Sequence, residues 1–268
     1  MVYQYHNKME YIQGEKFKQL ADNKTIFYRH THEVNNFFKN EAPTTPFILI
    51  SHNSDGNVLK NSVREPDASF SLAPPNLIKW FAQNINYKHK KLQALPIGLE
   101  NSEWFVETKK IDKLKEITNT SKKFINLVYM NHNINTNVHE RQPLYNMLAN
   151  KSYVTTHYGH NGINYDEYLN NLYNHCFMIC PEGNGIGTHR EWETLYANTI
   201  PIQKRNIDNF YYTDLPICFV DDWSELQNED FLKREYIRIK YETSWNLEKL
   251  DFNYWKQKIL QAEKIINQ

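Results

Sequence analysis

The stretch 176-CFMICPEGNGIGTHREWETLYANTIPIQ-203 restricts what this chain can fold into more than any other. Its first residues form an uninterrupted apolar run, which suits a strand buried on both faces, the condition of a parallel sheet. The run leads into a loop with glycines at Gly183, Gly185 and Gly187. Thr188 and, three residues later, Glu191 have the spacing of a capping box, so a helix is predicted from about residue 188. Strand, glycine loop and helix start in that order leave backbone N–H groups at the positive end of a helix dipole, which favours an anion and above all a phosphate. The spacing is neither Gly-x-Gly-x-x-Gly nor the Walker pattern, so a generic dinucleotide or P-loop site is not supported. A plain glycine-rich turn between two core elements is the competing explanation.

Short apolar or β-branched runs alternate with helical patterns along the whole chain, which predicts an α/β fold with parallel sheets. Strands are expected at 25–29, 46–51 and 92–97, then at 124–130, 153–156, 176–180, 199–203 and 217–220. Helices are expected near 9–21, 32–40 and 74–84, then near 138–149, 164–174, 188–198 and 223–235. The charged stretch 106-VETKKIDKLKEITNTSKK-123 is the best candidate for a junction. Two Rossmann-like, doubly wound domains facing a cleft follow, over residues 1–118 and 119–250. A last helix, 251–268, carries Trp255, Ile259 and Ile265 as an apolar stripe that could pack on either domain.

Charge narrows the function. Lys+Arg and Asp+Glu balance at 31 each, so no bulk field favours nucleic acid. No apolar run reaches the roughly 20 residues that span a bilayer, and the N-terminus lacks the apolar core of a secretory signal. A cytoplasmic chain, at most peripheral to a membrane, is expected. The three cysteines, Cys176, Cys180 and Cys218, sit in strand-like runs and read as buried free thiols.

Arg190 and Glu193 lie three apart in the first helical turns and project near one face beside the loop. The pattern Arg-x-x-Glu-x-Leu-x-Ala-x-x-x-Pro at Arg190, Glu193, Leu195, Ala197 and Pro201 resembles the donor-binding motif of exostosin-type glycosyltransferases, and less closely that of fucosyltransferases. Thr194 stands where that motif has alanine, and Asn198 where it has the helix-ending glycine, Asn being the next-best left-handed cap. The match is strong over about 25 residues, with weaker support as far as 225. It implies a GT-B glycosyltransferase with a nucleotide-diphosphate sugar as substrate, a glycan or glycolipid acceptor, and no other cofactor. In such an enzyme Glu193 holds the ribose, and Arg190 with the loop holds the diphosphate. Glu182, Gly183, Asn184, Gly185, Gly187, Thr188 and His189 are the corresponding loop and helix-start residues here. The resemblance further implies inversion and a place in polysaccharide biosynthesis. A nucleotide- or glycan-binding module that kept the motif and lost catalysis is the alternative.

A second phosphate contact is expected from Arg141, near the helix start that follows the strand ending at Met130, although Arg141 could equally tie that loop to the backbone on the Glu140 side. The general base is expected on the opposite domain, where His52 and Asp55 follow a strand's carboxyl end and Glu100 follows another. The sequence 53-NSDG-56 is also strong turn chemistry by itself. Metal sites look weak: His30 with His32, and His157 with His160, lack partners at zinc-site spacing. No Asp-x-Asp occurs, so the leaving-group charge falls to Arg190, Arg141 and loop amides. Cys180, at a strand end beside a helix start, is a weaker candidate as a thiolate nucleophile.

Overall fold

All six residues of the strand Phe47–His52 are buried, which requires cover on both faces of its sheet. The computed structural model describes residues 9–104, 109–158 and 163–266. After a short helix α1 (Gly14–Lys18) come β1 (Ile26–His30) and a helical segment over 31–41 whose middle is α2 (Val34–Asn36). Next are β2 (Phe47–His52), a two-residue pair β3 (Val58–Leu59) and β4 (Ala68–Ser69), β5 (Leu77–Ala82) and β6 (Leu92–Ala94). The first large sheet is parallel with order β1-β2-β5-β6, and β3 and β4 form a small sheet of their own.

The second half runs α3 (Lys110–Thr118), β7 (Asn126–His132), α4 (Val138–Leu148), β8 (Val154–Tyr158), α5 (Tyr165–Tyr173) and β9 (His175–Ile179). Then follow α6 (His189–Tyr196), β10 (Ile200–Lys204), β11 (Cys218–Val220), α7 (Glu229–Ile237) and α8 (Phe252–Ile266). Its sheet is parallel with order β11-β10-β9-β7-β8.

Residues 77–82 form a strand, where the sequence predicts a helix over 74–84. The run 77-LIKWFA-82 is too short for its apolar residues to declare a period, and pairing with β2 decides it. Trp80 fixes the pairing by donating its Nε1 hydrogen to Ser51 Oγ at 2.8 Å in the core. The helix expected over 9–21 shrinks to five residues. The junction expected over 106–123 contains α3, its residues 106–108 lying outside the described residues, as does His160.

The terminal helix α8 packs on β2 and β5 of the first sheet. Trp255 and Ile259 are buried there, but Ile265 is 65% exposed and lies off the stripe. One apolar cluster spans both halves, joining β1, β2 and β5 with Trp192, Leu195 and Tyr196 of α6 and with α8. A second fills the far side of the second sheet. Among the described residues no helix is long and apolar enough to cross a membrane.

Candidate functional site

The loop after β9 is built differently from its sequence reading. Thr188 is extended, as an N-cap should be, but its hydroxyl caps nothing: Thr188 Oγ1 is buried without a partner. Glu191 supplies only its own half of the predicted capping box, its carboxylate accepting from the Thr188 backbone N–H. The same carboxylate turns into the core, accepting from Trp192 Nε1 at 2.8 Å and from Gln203 Nε2. The helix nevertheless ends as expected, with Asn198 at φ 55°.

The three glycines serve close packing of protein on protein. A Cβ at Gly183 would come within 2.9 Å of the Arg141 guanidinium, and one at Gly185 within 2.6 Å of Asn84 Nδ2. A Cβ at Gly187 would meet Asn84 Oδ1 at 3.2 Å, and the same oxygen accepts the Gly187 N–H at 2.9 Å. Asn84 follows β5 with φ 57°, so the loop is pinned by the first half of the chain.

Arg141 is the hub of this pinning. It is buried, and it donates to Glu182 O at 2.8 Å, Asn133 O at 2.8 Å, Pro181 O at 3.1 Å and Thr136 Oγ1. Arg141 thus ties loops together, but through Pro181, Glu182 and Asn133 and not through the Glu140-side backbone that the sequence suggested. Burial and then the neighbouring Arg190 charge lower its pKa to about 10, so it stays a cation. Glu182 accepts from Asn206 Nδ2 at 3.0 Å, and burial raises its pKa. Asn184 is exposed at the rim.

Arg190 and Glu193 do lie at the carboxyl edge of the second sheet, though they form no ion pair with each other among the described residues. Glu193 Oε2 accepts from the Tyr168 hydroxyl at 2.7 Å. Arg190 Nε is buried and unpartnered. Nearby, Asn131 Nδ2 donates to Tyr129 Oη at 2.9 Å while Asn131 Oδ1, in a residue 1% exposed, has no partner. Burial, then Arg190 and Arg141, push His132 down to about 3, so it is neutral. Buried polar groups ordinarily find partners, so a cation edge, a hydroxyl and an amide oxygen left without them make this a candidate place for a polar ligand that both accepts and donates. Cys180 is buried and its thiol is pushed up by that burial, so no thiolate nucleophile is available there.

Across from the glycine loop, Asp55, Glu100 and His189 line one cavity of about 250 Å³ with Asn53, Ser54 and Gln83. Asp55 also lines a neighbouring cavity of about 700 Å³, between the turn after β2 and the segments 135–139 and 183–184. Glu100 is drawn toward Lys110, 3.8 Å away. His52 does not join them. Its Nε2 donates to Pro96 O at 3.0 Å, its Nδ1 accepts the Asn53 N–H at 2.8 Å, and burial lowers its pKa to about 4. Both ring nitrogens are occupied, so His52 is a buried structural histidine and no base. Asn53 takes φ 55°, which is the turn conformation its sequence favours.

Sequence reasoning missed Tyr168, Asn131, His132 and Asn84, as well as Asp208, whose Oδ1 accepts the Ile85 N–H at 2.8 Å and so links the two halves. Only the position of Asn131 at a strand's end could have pointed to it. Among the described residues no three His, Cys, Asp or Glu side chains are grouped to hold a metal ion.

No family model matches the chain, and no curated protein matches it. Among the solved structures that are similar, two match over nearly their whole lengths. One is an α1,3-fucosyltransferase, at TM-score 0.41 and 13% identity over 99% of this chain and 96% of that one. The other is the wall teichoic acid polymerase TagF with CDPG soaked in, at TM-score 0.27 and 11% identity over 100% of this chain and 95% of that one. Neither superposition is close enough to fix a residue's role.

Proposed function

We propose that the protein is a GT-B glycosyltransferase that moves a sugar from a nucleotide-diphosphate donor to a glycan or glycolipid acceptor, without a metal and with inversion. The observation that carries this reading is the start of α6. Arg190 Nε and Thr188 Oγ1 are buried and unpartnered at the carboxyl ends of parallel strands, where ligands collect in open α/β sheets. Glu193, held by Tyr168, lies three residues on. In this reading residues 119–250 form the nucleotide domain and residues 1–118 the acceptor domain. Arg190 and the loop meet the diphosphate, and Glu193 the ribose. Arg141 acts one step back by shaping the loop. The acceptor hydroxyl enters the cavity lined by Asp55, Glu100 and His189.

A thermal-shift panel of UDP, GDP, ADP, CDP and TDP tests it. A ligand present at about 100 times its Kd adds roughly 2.7 kcal/mol of stability, and one of the five is expected to do so. Arg190→Ala is expected to abolish that shift, because the cation meeting the diphosphate is gone. Glu193→Ala is expected to weaken binding by about 1.5–3 kcal/mol, the worth of a hydrogen bond to a charged acceptor. A wild type indifferent to all five nucleotides sinks the reading.

Metal independence is checked by assaying turnover with and without EDTA. The absence of Asp-x-Asp predicts no change, and loss restored by manganese would reassign the leaving-group chemistry to a cation.

A further inference from the structure

His189 opens α6, and its Nδ1 lies 2.8 Å from the carbonyl oxygen of Gly98. A carbonyl can only accept, so Nδ1 carries the proton and the lone pair of the neutral ring is on Nε2. That carbonyl is itself held firmly. Gly98 has φ 69°, a Cβ there would come within 2.3 Å of Ile12 O, and the same Ile12 oxygen accepts the Leu99 N–H at 2.8 Å. The ring is thus fixed in one tautomer at the wall of the 250 Å³ cavity, and Nε2 has no partner among the described residues.

We propose that His189 is the general base: Nε2 takes the proton of the acceptor hydroxyl during sugar transfer, an assignment that rests on the glycosyltransferase reading above. The hydroxyl oxygen forms a bond to the anomeric carbon while the bond from that carbon to the diphosphate oxygen breaks. Its electron pair leaves with the diphosphate, and the hydroxyl proton passes to Nε2. An imidazole is a stronger base than a carboxylate, which favours His189 over Asp55 and Glu100 for this transfer. The two carboxylates line the same cavity, where Glu100 is engaged by Lys110 at 3.8 Å. The next residue, Arg190, points about 100° further around the helix, toward the leaving group. One helix start therefore carries the base and the phosphate-binding cation on adjacent residues.

Wild type, His189→Asn and His189→Gln are compared by thermal shift with the five nucleoside diphosphates, and by hydrolysis of the nucleotide sugar built on whichever one binds. Asn sets its amide nitrogen where Nδ1 sits, keeping the Gly98 contact and removing Nε2, whereas Gln does the reverse. Both variants are expected still to show a nucleotide-induced thermal shift and to lose 10²–10⁴-fold in kcat, about the worth of a positioned base. Full turnover in His189→Asn with nucleotide still bound overturns the base and leaves the glycosyltransferase standing. If His189→Asn does not fold, turnover in His189→Gln decides in the same way. Loss of turnover in Asp55→Asn alone would move the role to Asp55. Binding of none of the five nucleotides by wild type overturns both.

Discussion

Between pH 5 and pH 9 a Glu191→Gln variant gains on the wild type by about 4 kcal/mol of unfolding free energy, at 1.36 kcal/mol for each unit of pKa shift. Glu191 is buried, and burial followed by the Asp208 charge raises its pKa to about 8. A carboxyl whose folded pKa lies above its unfolded one contributes its stability at low pH and loses it as pH rises through the folded value. The window here runs from the ordinary carboxylate range up to about 8. Glutamine does not titrate, and Gln203, whose Oε1 is buried without a partner, can turn its amide to accept from the new side chain. Asp208→Asn is expected to act in the same direction over a window ending near 7.

The wild-type profile alone would mislead. Burial lowers His52 to about 4, His132 to about 3 and Lys122 to about 7. Groups of that kind cost stability as pH falls, which is the opposite slope. Urea unfolding of variant and wild type at each pH isolates the carboxylate. A pH-independent difference would mean that Glu191 is ionised in the fold.

Arg141→Ala is expected to lose about 1–3 kcal/mol, the cost of leaving the buried Pro181 carbonyl without its donor, since Glu182 O keeps Asn137 Nδ2 and Asn133 O keeps the Thr136 hydroxyl. Arg141→Lys should rescue little, because an ammonium cannot reach the same fork of carbonyls. Chemical denaturation gives the loss directly. Nucleotide binding should weaken with it as the loop over 180–188 loosens. Weakened binding at unchanged stability would instead put Arg141 in direct contact with phosphate.

The sequence by itself determined most of the strands and where the candidate site would be sought. Runs such as 47-FILISH-52 and 175-HCFMI-179 are apolar beyond what a half-exposed element tolerates, so burial and parallel pairing follow from composition alone. Arg190 and Glu193 were legible for an equally local reason, because helix geometry brings residues three apart onto one face. The six residues of β5 fit either period, and two-residue strands such as β3 and β4 carry no period at all.

Tertiary structure alone decided which chemistry each polar group is free to do. His52 ends an apolar strand and His189 opens a helix, yet one spends both nitrogens on backbone and the other spends one. Arg141 looked available for phosphate and is consumed inside the protein, and Glu191, expected at a helix cap, also turns into the core. Their partners lie as far as 91 residues away in sequence, as Gly98 does from His189. A hydrogen bond is saturable and acts over about 3 Å, so whether a group is spent or free depends on which distant segment folds against it, and no local pattern encodes that.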